Sequence, residues 1–138
     1  MNRVLIFHHH EYTANSVRMA PAAYYLEKDY NKVAVRIYAE RVPQRDAKID
    51  IFDDGVSIFK NRAVDGINRT TGVRTSAPAV TEAILSKDNN AAEIAGDFTD
   101  DVIAGDSWVH CNLVDAGGGK NFTVQLELEE LEGESESL

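Results

Sequence analysis

The sequence predicts an all-β protein, an antiparallel β-sandwich of jelly-roll type with at most one or two short helices. Three observations predict it. Apolar and polar residues alternate wherever any periodicity is visible, the period of a half-buried strand. The alternating segments are rich in valine, isoleucine, threonine and aromatics, which pack well on a pleated surface. Glycine and aspartate turns separate them at the spacing of a sandwich.

The first apolar run is Val4-Leu5-Ile6-Phe7, followed by His8, His9, His10 and Glu11. It is far shorter than the roughly 20 residues that span a bilayer. With no small-residue cleavage site after it, it is no secretory signal. On a strand His8 and His10 point the same way and His9 the other. The expectation for Val4, Leu5, Ile6, Phe7, His8 and His10 is a docking or exchanged strand that adds to a neighbouring chain. The next candidate element, APAAYYLE (Ala20–Glu27), admits a helix, as does AVTEAIL (Ala79–Leu85) further on. In KVAVRIYAE, Val33, Val35 and Ile37 fall on one strand face, with Arg36 and Tyr38 opposite.

KIDIFDDGVSIFK, Lys48–Lys60, carries three aspartates closed by a glycine. A calcium loop starting at Asp50 would place Asp54 at position five and Gly55 at six. Phe52 then stands at position three and Asn61 at twelve, where an oxygen ligand and a bidentate glutamate are required. Asp54-Gly55 between alternating runs is instead a two-residue hairpin turn. Residues 61–77 and 87–101 read as long polar contact loops. Ala104-Gly105-Asp106 turns into SWVHCNLV, where Val109, Cys111 and Leu113 share one face and Trp108, His110 and Asn112 the other. A glycine-rich connection, residues 115–121, leads to NFTVQLELEEL, where Phe122, Val124, Leu126 and Leu128 alternate with polar partners.

The chemical signatures fail on their spacing. His8 and His10 on one face offer two imidazoles, but no further Cys or His cluster follows at ligand spacing, so no metal site is expected. Gly105-Asp106-Ser107-Trp108-Val109 lacks the last glycine of a nucleophile elbow. The GK of Gly119-Lys120 has Val114 in place of the first phosphate-loop glycine and Asn121 in place of Ser/Thr. Cys111 sits on the apolar face as a small core residue. Trp108 is expected in the core or between sheets, although an outward Trp108 with Tyr24, Tyr25 or Tyr38 beside it would make a sugar-stacking platform. No catalytic residue, cofactor or metal is expected.

The 138-residue chain, 43% hydrophobic and 27% charged, fits one domain with its own core. One cysteine excludes an internal disulfide and suits a reducing cytoplasm, so the sequons at Asn68 and Asn121 are read as chance matches. The net charge is −9, and the last twelve residues, ELEELEGESESL, hold six of the acids. With no basic stripe, nucleic acid is not an expected partner, and no membrane is. The organisation predicted is an N-terminal docking arm and lead-in over 1–31, the sandwich over 32–131, and a solvated acidic tail over 132–138.

Ile49-Asp50-Ile51, Gly55 and Ser57-Ile58-Phe59, then Ile103-Ala104-Gly105-Asp106 and Gly117–Gly119, resemble small β-sandwich modules of tailed-bacteriophage virion proteins. In that group a strand-turn-strand is followed by an A-G-D turn, a strand, a glycine-rich loop and a final alternating strand. The resemblance covers Val33 to Leu128. It implies a non-enzymatic virion protein made in the host cytoplasm, of the capsid-decoration, head-fibre or tail-accessory kind. Its partners would be the major capsid protein or other virion proteins and copies of itself, as in a trimer. The alternative is a carbohydrate- or receptor-binding module at a fibre or tail tip.

Overall fold

A computed structural model describes residues 2–10, 16–59, 62–67, 70–71, 74–80, 82–95, 98 and 101–131. The acidic tail over 132–138 lies outside the described residues. Two antiparallel sheets face each other. The first joins β1 (Asn2–His9), β13 (Lys120–Glu130), β4 (Tyr30–Arg41) and β10 (Ala91–Ile94) in that order, with β11 (Val102–Ile103) also on β4. The second runs β2 (Val17–Arg18), β12 (Ser107–Asp115), β5 (Ala47–Asp53), β6 (Val56–Ser57). There β3 (Tyr24–Leu26) also pairs with β12 and β9 (Ala83–Leu85) with β5. The protein is all-β, an antiparallel sandwich, and no helix occurs among the described residues.

One hydrophobic core lies between the sheets, built from the inward half of each alternating strand. Leu5 and Phe7 of β1, Phe122, Val124, Leu126 and Leu128 of β13, and Val35 and Ile37 of β4 meet Ile49 and Ile51 of β5 and Val109, Cys111 and Leu113 of β12. All are buried. Burying one side chain of this size contributes about 1.5–3 kcal/mol.

Five expectations are corrected. First, Ala20–Glu27 and Ala79–Leu85 are not helical: Tyr24–Leu26 and Ala83–Leu85 are three-residue strands that complete sheet edges, and 79–80 belong to β8 (Arg74–Val80). The ladder offered by β12 and β5 overrides a weak local preference.

Second, the stretches 61–77 and 87–101 are not loops throughout. β7 (Arg62–Ile67) and β8 form an antiparallel ribbon, and β10 adds to β4.

Third, Val33 does not share a face with Val35 and Ile37. The β13–β4 register shifts between Glu127 and Leu128, and this bulge turns Val33 out to solvent while Ala34 and Val35 are both buried.

Fourth, residues 2–9 are not a free arm. β1 pairs along its whole length with β13 of the same chain, and Leu5 and Phe7 are core. An apolar inward face has a place in its own sandwich and gains its burial there. With β2 and β3 also in the second sheet, residues 1–31 are not a unit separate from 32–131.

Fifth, Trp108 is not in the core; it points outward from β12.

The Asp54-Gly55 turn is present. Both residues have positive φ, 48° and 85°, the combination a two-residue hairpin of matching twist demands.

Candidate functional site

On β12 the outward residues are Trp108, His110 and Asn112, and the register supplies each with a neighbour. Tyr25 of β3 lies opposite Trp108, Phe52 of β5 opposite His110, and Arg18 of β2 and Asp50 of β5 flank Asn112. These residues form a strip along the outer face of the second sheet, about 13 Å from Trp108 to Asn112 at the rise of an extended strand.

The aromatic end is exposed and held. Trp108 is 55% exposed and Tyr25 38%. Their ring centroids are 5.0 Å apart at 53°. Two aspartates in left-handed turns fix this end. Asp54 (φ 48°) accepts a hydrogen bond from the Trp108 N–H through its carboxylate at 2.9 Å, and its own N–H donates to the Trp108 carbonyl at 2.9 Å. Asp106 (φ 64°) donates its N–H to the Leu26 carbonyl at 2.7 Å, and its carboxylate accepts from the Tyr25 hydroxyl. That bond, with burial and further acidic neighbours, raises the Tyr25 phenol above its ordinary range, so the hydroxyl keeps its proton. Gly105 is required for the close approach: a Cβ there would stand 2.7 Å from the Glu27 carbonyl oxygen.

In the middle, the His110 and Phe52 rings stack at 4.9 Å and 21°. Burial, then the charge of Arg18, lowers the His110 imidazole below its usual value, so at neutral pH it is uncharged. At the polar end Arg18 Nε donates to Asn112 Oδ1 at 3.2 Å and Arg18 Nη1 to the Ala22 carbonyl at 3.2 Å. Ser57 Oγ donates to Asp50 Oδ1 at 2.7 Å. Asp50 is mostly buried, and desolvation raises its carboxyl above the ordinary value against the opposing Ser57 bond. Aromatic faces at one end and fixed donors and acceptors at the other can stack on an apolar ring face and hydrogen-bond its hydroxyls.

The three turn aspartates are dispersed rather than convergent. Asp50 faces the strip, and Asp54 caps the Trp108 strand. Asp53 lies near Ser107, with its carboxyl raised by burial. His8 and His10 do share a face, their rings 4.9 Å apart. Among the described residues no group of three or more His, Cys, Asp and Glu side chains is placed to hold a metal ion. Cys111 points inward, its Sγ 3.5 Å from Met19 Sδ, and burial pushes its thiol far above the usual range. Of the six residues expected to dock, Leu5 and Phe7 are core, while Val4 and Ile6 face outward and are 44% and 43% exposed. The sequence shows Trp108, His110 and Asn112 on one face. It does not show Tyr25 and Arg18 as their partners, since both sit on strands of two or three residues.

No protein-family model and no curated protein matches the chain. Solved structures that resemble it include the catalytic domain of a GH87 α-1,3-glucanase in complex with nigerose, and single-residue variants of that domain with the same ligand. The TM-score is 0.40 at 16% identity, over 87% of this chain. The chain spans about a fifth (21%) of the length of those structures. Likeness at that level carries no argument.

Proposed function

We propose that this protein is a non-enzymatic saccharide-binding module whose site is the strip from Trp108 and Tyr25 to Asn112 and Arg18. The observation that carries the reading is an outward Trp108 packed on Tyr25 and anchored on both sides by aspartate turns. A large apolar ring on a backbone pinned by the Asp54 turn and packed on one side by Tyr25 has less entropy to lose on binding, so stacking a ligand there is favourable. The rest of the strip supplies donors and acceptors of both signs, which suits a hydroxyl-rich ligand better than a purely ionic one. The resemblance implies a bacteriophage particle as the setting, and within it this reading takes the alternative of a module at a fibre or tail tip that engages a surface glycan.

A glycan array with the wild-type protein and Trp108→Ala is the test. Binding by the wild type that is lost in the variant, with an unchanged melting temperature, supports the reading. Equal binding of every glycan by both proteins, or binding by neither, overturns it.

The second reading is a structural virion protein that decorates the capsid or an accessory site through self-association. It is favoured by the outer edge of β1. There the Tyr24 hydroxyl accepts from the Ile6 N–H at 3.4 Å and donates to its carbonyl at 2.9 Å. Ala20 exchanges both backbone bonds with His8. No described residue caps Val4 on that edge, and Val4 and Ile6 are apolar and exposed. An open, apolar strand edge is a template for a further strand. Co-sedimentation with particles lacking the protein, reduced by Val4→Lys, is the outcome that would move the case to this reading.

A further inference from the structure

We propose that the outer face of the other sheet carries a second, independent saccharide site, a groove beside Tyr38 that takes a neutral polyhydroxylated ligand. A depression of about 490 Å³ lies there, lined by Arg36, Tyr38, Ala91, Glu93, Thr123 and Gln125. The register explains it. One row across the strands reads His8, Thr123, Tyr38, Ala91, and the next reads Ile6, Gln125, Arg36, Glu93. Ala91 presents only a methyl beside the Tyr38 ring, so the surface drops between the ring and the taller second row. Tyr38 is 48% exposed. The volume falls within the roughly 300–1,000 Å³ of small-molecule sites, and one aromatic wall with a few fixed polar groups is their usual make-up.

Charge selects the ligand. Arg36 Nε donates to Glu93 Oε2 at 2.7 Å and Arg36 Nη2 to Glu127 Oε1 at 2.8 Å, and Asn2 Nδ2 donates to Glu127 Oε2 at 2.7 Å. One guanidinium is therefore shared by two carboxylates. An anion meets the surplus acid, and a cation meets carboxylates already engaged by Arg36. A neutral sugar needs neither charge. Its ring stacks on Tyr38, and its hydroxyls bond to the Thr123 hydroxyl, the Gln125 amide and the spare oxygen of Glu93. The two sites lie on opposite outer faces of the sandwich, so one molecule cannot bind both along a single short oligosaccharide. It bridges two chains, with the gain in avidity that two tethered contacts bring.

The experiment uses the full chain, isotopically labelled, with maltohexaose, laminarihexaose and cellohexaose and any neutral oligosaccharide the array selects. In Trp108→Ala protein, amide shifts are expected at Tyr38, Ala91, Glu93, Thr123 and Gln125. They should weaken about tenfold or more in Tyr38→Ala, the loss of one aromatic anchor. Ala91→Trp, which fills the trough without touching the core, should abolish them and guards against a folding effect of Tyr38→Ala. No shift at these residues with any of the neutral probes overturns the proposal. So do shifts produced only by a charged ligand or by raising protein concentration, which would mark an ionic site or a second copy. Shifts that disappear in Trp108→Ala overturn the independence of the groove. Shifts at the groove with none at Tyr25, Trp108 and Asn112 in the wild-type protein leave the groove standing while the strip fails.

Discussion

The two outer faces of the sandwich are built on the same alternation and end up chemically unlike. Across β1, β13, β4 and β10 the outward residues include a ladder of hydrogen bonds from Asn2 through Glu127 and Arg36 to Glu93. Across β12, β5 and β3 the outward residues are Trp108, Tyr25, His110 and Phe52, two ring pairs that leave apolar area facing water. Strand period decides which residues face out; it says nothing of what they do there. The first face ties its charged groups to one another and leaves one hollow. The second spends exposed aromatic area with no structural return, since Trp108 contributes little burial to the core. Large apolar side chains placed together in solvent are the mark of an interaction surface.

The largest effect expected comes from neither face. Phe122→Ala, inside the sandwich under both sheets, should destabilise the fold by about 3–5 kcal/mol. Urea unfolding followed by tryptophan fluorescence and by far-UV circular dichroism should show one shared transition. Separate transitions would mean that the two faces belong to independently stable sheets. Next, Trp108→Ala should weaken glycan binding by about 2 kcal/mol, or roughly thirtyfold, with almost no change in melting temperature. A large drop in melting temperature instead would make Trp108 a structural residue and remove the contrast between the faces.

Asp50→Asn sharpens the comparison from the aromatic side. Burial raises the Asp50 carboxyl, so the folded protein holds that proton to a higher pH than the unfolded chain does. Stability from this group therefore falls as pH rises from the unfolded value of about 3.9 through the raised folded one, and the cost is fully present at neutral pH. Asparagine still accepts the Ser57 bond. The variant should melt higher than wild type at pH 7, and the gap should close below pH ~4. A gap that widens in acid would reverse the assignment. The smallest effect belongs to Arg36→Gln. The Arg36 hydrogen bond holds Glu127 below the usual carboxylate range, so that contribution is present above the unfolded value and lost as pH falls through the folded one. The pair is half-buried with Arg36 open to solvent, and the melting-temperature shift should be slight and should shrink in high salt.

Much of this was legible in the residues. The long strands β12 and β13, the Asp54-Gly55 hairpin and the inward core positions follow from alternation and turn chemistry alone. What sequence hid is non-local. Nothing near Tyr25 announces a three-residue strand beside Trp108, because its ladder partner lies more than eighty residues away. The bulge that exposes Val33 depends on β13, not on KVAVRIYAE itself. The ladder of β7 and β8 is likewise absent from local pattern, since Arg62–Ile67 and Arg74–Val80 mix charge, glycine and proline. The apolar run Val4–Phe7 reads as a docking strand for the same reason: its partner, β13, lies over a hundred residues further along the chain.

That pairing of first strand with last has a kinetic consequence. Asn2 and Glu127, hydrogen-bonded in the finished sheet, are separated by 125 residues of chain. At about 5–20 residues per second of synthesis, β1 waits roughly 6–25 s on the ribosome before β13 exists to receive it. Throughout that interval β1 lacks the β13 ladder that pairs it along its whole length. Closure is then a long-range event in which most of the loop entropy is lost at once, a topology that folds in milliseconds to seconds rather than microseconds. Of these two strands, β1 is thus the one a nascent chain leaves without its ladder partner, until β13 is made.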